Sequence, residues 1–304
     1  MLGGIDMYLS KTKYCLGIRC PKMMWLSLHP PKTEEQHQEA DSDQNAPAEV
    51  AALARAFFGP HRMIPRGKPD HMAAQTRQLL DQGVGQIAEA SFVHDGCFCS
   101  VDMLKNLGGG RVELYELKTV VNLEDKHYQD AAFQNYVLTG LGYRVERVSL
   151  MYLNKDYIRQ GELDLQQLFC FEDVTARVND MIPAVEQAVS RLKPLLMQQE
   201  EPETAACAAC FATKDKCQYP WHCYRHLESP NICDLRGRTS AAAKVRLYND
   251  GLRTFREMYG SGRLNASAAF QVDFEVEQKA PHIDRDKIGA FLDKVPAPPV
   301  LPGF

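Results

Sequence analysis

The most regular part of the chain reads QIAEASFVH at residues 86–94, GCFCSVDML at 96–104 and RVELYELKTV at 111–120. Apolar residues alternate with polar ones or form short runs in all three segments, which is typical of strands. Asp95-Gly96 follows the first segment and Gly108-Gly109-Gly110 precedes the third, and both are turn sequences. The pattern predicts three consecutive strands, an antiparallel meander at the start of a mixed sheet.

Helical patterns stand on both sides of these strands. Before them, residues 48–58 (AEVAALARAFF) and 71–83 (HMAAQTRQLLDQG) have helical spacing, and Gly83 ends the second helix. After them we expect a helix over residues 124–141 and an apolar strand at 145–154 (VERVSLMYLN). The order of helix, three strands, helix and strand predicts an α/β fold with a mixed sheet.

Further helices are expected toward both ends of the chain. Ser10 is placed to cap a short helix, and Pro21 to open the next one in its first turn. A long helix is expected over residues 173–200, broken or kinked at Pro183. Small helices are expected after Ser240, so the C-terminal part is a helical extension of the α/β core.

Composition indicates a globular protein of ordinary type. The 304 residues are 45% hydrophobic and 24% charged, with a net charge of −4. No apolar run approaches the ~20 residues that a membrane helix needs, and the N-terminus has no secretion signal, so a cytoplasmic protein without a membrane partner is expected. The net charge is not that of a typical nucleic-acid binder, but it does not exclude one, because acids and bases can be concentrated on different parts of the same surface.

An acid on one predicted strand faces an acid and a lysine on the next. Asp102 lies in the second strand, and Glu116-Leu117-Lys118 lies in the third. Hard cations such as Mg²⁺ or Mn²⁺ bind carboxylate and carbonyl oxygens, so Asp102, Glu116 and the Leu117 carbonyl are candidate ligands. Lys118 shares a strand face with Glu116 and is placed to orient an attacking water. Glu89, in the first strand, is a candidate acid outside the direct ligand set. The competing interpretation is that these charged strand residues form the solvated face of a sheet.

With these residues in this order, the chain resembles the PD-(D/E)xK nuclease superfamily, in particular RecB-type and CRISPR-adaptation nucleases. The resemblance implies a restriction-endonuclease-like core and metal-dependent cleavage of DNA. It also implies catalytic support from a glutamine and a tyrosine on the helix after the lysine, which correspond to Gln134 and Tyr136. They are separated by one residue rather than the three of the RecB motif. The acid that such enzymes place on the first helix corresponds to Glu49.

The resemblance is closer to a set of bacterial proteins that open with an LSK…CPK…WL pattern. Here the pattern is Leu9-Ser10-Lys11, Cys20-Pro21-Lys22 and Trp25-Leu26, and the likeness covers roughly residues 7–300. Those proteins usually continue into a second, exonuclease-like domain of RNase H type. The chain is therefore expected to be a natural short form or a truncation, with a separate or lost C-terminal exonuclease domain as a possible partner and Met7 as the natural start.

These observations predict five segments. They are an N-terminal segment contributing one cluster cysteine (1–29), a flexible linker (30–47), the nuclease core (48–200), a cysteine region (201–236) and a small helical tail that leads toward the absent second domain (237–304).

Ten cysteines without a secretion signal argue against a disulfide framework. Cys97, Cys99 and Cys170 lie in apolar, strand-like surroundings and are expected in the core. The other group, Cys207, Cys210, Cys217 and Cys223, has spacings that suit zinc or an iron–sulfur cluster.

The resemblance favours iron over zinc. Iron–sulfur nucleases of the RecB-like type use one cysteine before the core and three after it. Cys20 with Cys210, Cys217 and Cys223 matches that arrangement and implies a 4Fe-4S cluster, with Cys207 as the alternative to Cys210. Such a cluster would fasten the two ends of the domain, with zinc as the alternative metal.

Three functions remain open on sequence grounds. The first is a deoxyribonuclease that acts on single-stranded or end-exposed DNA in repair or defence. The second is a non-catalytic DNA-binding or assembly module of a larger nuclease, and the third is an RNA-cleaving enzyme on the same fold. The presence of Asp102, Glu116 and Lys118 together favours catalysis.

Overall fold

The computed structural model describes five stretches of the chain: residues 8–31, 45–212, 217–236, 238–280 and 283–294, with side chains throughout except at 45–47. Most of the predicted linker, the residues before Tyr8 and the Pro-rich end lie outside them. The chain divides into two compact units, Met1–Ala205 and Ala206–Phe304.

The first unit is built on a seven-stranded mixed sheet. Its strands are β1 Leu9–Ser10, β2 Arg62–Met63, β3 Gln86–His94, β4 Cys97–Gly108, β5 Arg111–Lys118, β6 Arg144–Leu153 and β7 Phe169–Asp173. The order across the sheet is β2-β3-β4-β5-β6-β7, and β1 pairs with β4. Strands β3 to β5 form the predicted antiparallel meander, β5 and β6 are parallel, and β6 and β7 are antiparallel.

Helices accompany this sheet in the first unit and are the regular elements of the second among the described residues. Those of the first unit are α1 Lys11–Arg19, α2 Pro21–Leu28, α3 Asn45–Phe57, α4 Pro69–Asp81, α5 Asp125–Gly140, α6 Leu165–Leu168 and α7 Thr175–Leu192, with a 3-10 turn at Lys193–Leu196. Those of the second are α8 Ala208–Phe211, α9 Pro220–Cys223, α10 Ala241–Asn249, α11 Phe255–Met258, α12 Ala266–Val276 and α13 Arg285–Leu292. No helix among the described residues is long and apolar enough to cross a membrane.

The α/β class and the predicted order of helix, three strands, helix and strand are confirmed. The short strands β1, β2 and β7 add to the sheet that the sequence pattern predicted. Helix α7 runs without a break through Pro183, where an interruption was expected. The five predicted segment boundaries remain predictions.

Helices α1, α5 and α7 pack together on one face of the sheet. Phe133 and Leu138 of α5 are fully buried there, and the Phe133 ring stacks on Tyr14 of α1 with centroids 4.5 Å apart. Each such side chain contributes about 1.5–3 kcal/mol through removal from water. Helix α3 belongs to a second apolar cluster, in which Ala54 packs with Met151 and Phe169.

The opening of the chain is held by local signals that the sequence predicted. Ser10 caps α1 by accepting a hydrogen bond from the Lys13 backbone at 3.3 Å. Pro21 begins α2, as expected for a residue with a fixed φ and no backbone N–H. Because β1 pairs with β4 in register Leu9 to Cys97, the start of α1 is anchored beside the strand that carries Asp102.

Candidate active site

Strands β4 and β5 bring the two predicted carboxylates together. Met103 pairs with Tyr115 in the antiparallel register, so the next residues of the two strands, Asp102 and Glu116, meet. The Leu117 backbone N–H donates to Asp102 Oδ2 at 2.7 Å. The acid of one strand is therefore fixed to the backbone between the acid and the lysine of the other.

Glu116 is buried, at 2% exposure, and both of its carboxylate oxygens accept hydrogen bonds from side chains. Its Oε1 accepts from Lys118 Nζ at 3.0 Å and from Lys11 Nζ at 2.5 Å. Its Oε2 accepts from Gln134 Nε2 at 2.7 Å, and the same nitrogen reaches the Ser100 carbonyl at 2.9 Å. A carboxylate this deeply buried is tolerated because two charges and an amide surround it.

The two acids respond in opposite ways to this environment. Burial raises the pKa of Asp102 to about 7, and the negative charge of Glu116 adds to the rise. Burial alone would also raise the pKa of Glu116, but Lys11 and then Lys118 outweigh it and hold that pKa below its usual range. Glu116 therefore stays ionised, and the repulsion between the two carboxylates raises the pKa of Asp102.

Lys118 is held between two acids. Its Nζ contacts Glu116 and, at 2.5 Å, Asp130 Oδ2 of helix α5. Asp130 in turn accepts a hydrogen bond from Cys15 Sγ at 2.8 Å. The position of the lysine ammonium is thus set by groups from α1, β5 and α5.

Lys11, Asp130 and Cys15 were not assigned to the site from the sequence. Lys11 and Cys15 are four residues apart on α1, and Asp130 and Gln134 are four apart on α5, so each helix presents one face to the site. For Asp130, helical spacing from Gln134 was an available signal. For Lys11 the available signal was its place in the opening LSK pattern, which does not indicate a partner 105 residues away.

Not every predicted site residue lies with these groups. Tyr136 of α5 packs beside His94 of β3, with ring centroids 6.3 Å apart, and not against Glu116. Glu49 is exposed near the start of α3. Glu89, by contrast, lies on β3 opposite Asp102. Its φ of 56° is a left-handed conformation that costs a non-glycine residue about 1–3 kcal/mol. The negative charge of Glu89 adds to the raised pKa of Asp102, but less than burial and the charge of Glu116 do.

The donor set fits a hard divalent cation. Among the described residues, no group of three or more His, Cys, Asp or Glu side chains is placed to hold a metal ion. Two carboxylates and one peptide oxygen are nevertheless a typical protein share for Mg²⁺, which keeps water and substrate phosphate as its other ligands. Three carboxylates face two ammonium groups here. Burial is the larger cause of the raised pKa of Asp102, and the negative charge of Glu116 adds to it.

A small cavity of about 20 Å³ adjoins the site on its other side. It is lined by Asp102 and Leu117 together with Arg55, Phe58 and Met151. This is room for about one water molecule.

The cysteines fall into separate places. Cys97 and Cys99 are buried as expected, whereas Cys170 is half-buried and is not a core residue. Cys20 lies at the junction of α1 and α2 in the first unit, with its Sγ 4.0 Å from Thr204 Oγ1.

The clustered cysteines belong to the second unit. The sulfurs of Cys207 and Cys210 are 3.6 Å apart at the start of α8. This hydrogen bond lowers the pKa of Cys210 to about 5, with Tyr224 also contributing. Two thiolates on one tetrahedral metal would stand roughly 3.8 Å apart at metal–sulfur bonds of about 2.3 Å, so this pair has a chelating separation.

Comparison with protein-family models and with curated proteins finds no match to this chain. Among solved structures, it has weak similarity to SSO0001, at 12% identity and a TM-score of 0.31, covering 75% of this chain and 90% of that one. It also has weak similarity to the alkaline exonuclease LHK-Exo from Laribacter hongkongensis, at 12% identity and a TM-score of 0.26, covering 60% and 93%. LHK-Exo in complex with dAMP matches at 12% identity and a TM-score of 0.27, covering 62% and 90%.

Proposed function

We propose that this protein is a metal-dependent deoxyribonuclease that hydrolyses phosphodiester bonds in single-stranded or end-exposed DNA. The observation that supports it is the convergence of Asp102, Glu116 and Lys118 at the meeting of β4 and β5. Acids and a lysine in this arrangement suit phosphodiester hydrolysis, which needs a hydroxide near neutral pH and relief of negative charge on the phosphoryl group.

Each residue has a distinct part in this proposal. Asp102, Glu116 and the Leu117 carbonyl would hold Mg²⁺ or Mn²⁺, and the ion supplies Lewis-acid chemistry at the phosphate. Lys118 orients the attacking water and offers its positive charge to the phosphate oxygens as their charge grows. Gln134 fixes the plane of the Glu116 carboxylate through its 2.7 Å hydrogen bond. We assign Tyr136 no contact with the phosphate, because it packs beside His94.

We expect cleavage to depend on the metal ion and on whether the substrate is single-stranded DNA, duplex DNA or RNA. Labelled single-stranded DNA, the same sequence as a blunt duplex and the same sequence as RNA are incubated side by side with Mg²⁺, Mn²⁺ or EDTA. Single-stranded DNA should be cut with either ion and not in EDTA, with the duplex interior and the RNA cut at least about tenfold more slowly. Binding of DNA without cutting in any metal would favour the non-catalytic module, and faster cutting of RNA would favour the ribonuclease.

We propose in addition that the cysteines hold a 4Fe-4S cluster, with Cys20, Cys210, Cys217 and Cys223 as ligands and Cys207 as the alternative to Cys210. The sulfurs of Cys207 and Cys210 lie 3.6 Å apart, so either thiol is placed for this position of the set. The role of the cluster would be structural, because its binding is coupled to folding.

Protein purified without oxygen should be brown, with a broad absorbance shoulder near ~400 nm and about four irons per chain. Cys20→Ser and Cys210→Ser should lose the colour and the iron. Cys233→Ser is the matched control in the same region and should keep both. A colourless protein with stoichiometric zinc would show that the metal assignment is wrong.

A further inference from the structure

A groove of about 370 Å³ opens beside the candidate active site. Its lining includes Tyr152 and Asn154 from β6 and the residues after it, Tyr128 from α5, and Glu172 from β7. A volume of this order is typical of small-ligand sites. The proposed roles of Asp102, Glu116 and Lys118 leave this groove without a function.

The groove begins next to Lys118. In the parallel ladder of β5 and β6, Lys118 pairs with Tyr152, so the two side chains point to the same sheet face from strands about 4.8 Å apart. The chain after β5 keeps this spacing, because the Leu153 N–H donates to the Val120 carbonyl at 2.9 Å. The groove is therefore within reach of a nucleotide that neighbours a phosphate bound at Lys118.

Of the two tyrosine rings in the groove, Tyr152 is the available one. The Arg177 guanidinium lies 3.5 Å from the centroid of the Tyr128 ring, and the Tyr128 hydroxyl donates to Glu172 Oε1 at 3.0 Å. No other ring stacks on Tyr152 within the part of the chain that the structure describes. A flat aromatic partner would find an open face there.

The charges of the groove select a base and not a phosphate. Glu172 and Asp156 line it together with the cation Lys155. Arg177, which lies against Tyr128, is paired with Asp125 at 2.8 Å, so the balance is negative. A phosphate would be repelled, whereas a nucleobase is neutral. A carboxylate accepts hydrogen bonds from the exocyclic amine of cytosine or adenine, which thymine lacks.

We propose that this groove binds one unpaired base of the substrate strand, stacked on Tyr152, with its exocyclic amine donating to Glu172. The inference rests on the proposed nuclease function and deepens it. A base inside a duplex is paired and stacked, and it must leave the helix to enter a pocket. The groove would therefore make the enzyme act on single strands and frayed ends.

The test measures binding in EDTA, so that no metal-dependent cutting occurs. Fluorescence anisotropy is recorded with labelled oligo(dC) and oligo(dT), and with oligo(dC) carrying one abasic site moved along the strand. Tyr152→Leu should weaken oligo(dC) binding roughly tenfold, and Tyr152→Phe should bind like the wild type. Glu172→Gln should reduce the preference for oligo(dC) over oligo(dT). Tyr259→Leu is the matched control, since it removes a tyrosine ring that does not line the groove.

The abasic series distinguishes stacking from loss of fold. The wild type should lose affinity when one particular base is missing, and Tyr152→Leu should be indifferent to that site. Equal abasic profiles in the two proteins, or unchanged affinity of a folded Tyr152→Leu, would overturn the proposal that the groove binds a base. A protein that cuts DNA with no dependence on Tyr152 keeps the nuclease proposal and loses this one. A protein that binds DNA through Tyr152 and never cuts it keeps the groove proposal and loses the nuclease proposal.

Discussion

Lys118→Ala should abolish DNA cleavage, by at least about 10²–10³-fold in kcat, while DNA affinity changes by less than about threefold. The ammonium sits between Glu116 and Asp130, at 3.0 and 2.5 Å, and in the proposed mechanism it acts on the one reacting phosphate and not along the length of the strand. Removing it costs charge stabilisation in the transition state, which lowers kcat and leaves binding of the ground state nearly intact. Single-turnover cleavage and anisotropy binding on the same oligonucleotide measure the two effects separately.

Lys105→Ala is the control for this experiment. Lys105 lies on β4 and pairs with Glu113 in register, so its removal takes one ammonium from the same sheet without touching Glu116. The control should cleave at close to the wild-type rate. Cleavage by Lys118→Ala within a few-fold of the control would remove Lys118 from the mechanism.

The strands were predictable because their signal is local. Alternation and glycine turns in three adjacent segments are sufficient to pair β3, β4 and β5, and the pairing then brings Asp102 to Glu116. Lys11 shows the opposite case. Its contact with Glu116 depends on the packing of α1 against α5 and on the pairing of β1 with β4, and no local pattern encodes that approach.

Helical geometry explains why one member of the predicted pair on α5 lies at the site and the other does not. Successive residues of an α-helix are about 100° apart, so Tyr136 is rotated about 200° from Gln134. Asp130, four residues before Gln134, is rotated by only about 40° from it and reaches Lys118. The one-residue spacing of Gln134 and Tyr136 thus already indicated two different surfaces of the helix.

The two-unit division limits what the sequence could establish about the cysteines. The resemblance joins Cys20 of the first unit to three cysteines of the second. Within the second unit, Cys207 was predicted as the alternative to Cys210, and the two sulfurs lie 3.6 Å apart at a helix start. A four-thiolate set that crosses from one unit to the other depends on tertiary structure and remains a proposal.

Lys11→Met should destabilise the fold by about 2–3 kcal/mol, which lowers the melting temperature by roughly 4–12 °C for a unit of this size. Lys11 contacts Glu116 at 2.5 Å, and Glu116 is only 2% exposed. Without this ammonium, the buried carboxylate keeps Lys118 and Gln134 but loses its nearest positive charge. Thermal melts of the wild type, Lys11→Met, Glu116→Gln and the double variant form a cycle. Its coupling energy should be about 1–3 kcal/mol, because the double variant buries no unbalanced charge.

An exposed pair of the same type tests whether burial is the cause. Lys193 contacts Asp95 at 2.8 Å, but the two side chains are 30% and 61% exposed. Lys193→Met should therefore lower the free energy of unfolding by less than about 1 kcal/mol.

The response of Lys11→Met to Mg²⁺ links the stability experiment to the proposed function. Lys11→Met raises the negative charge around Asp102 and Glu116, so Mg²⁺ should raise the melting temperature of Lys11→Met more than that of the wild type. An equal response to Mg²⁺ in both proteins would mean that the cation binds elsewhere, and the assignment of Asp102 and Glu116 as metal ligands would be wrong.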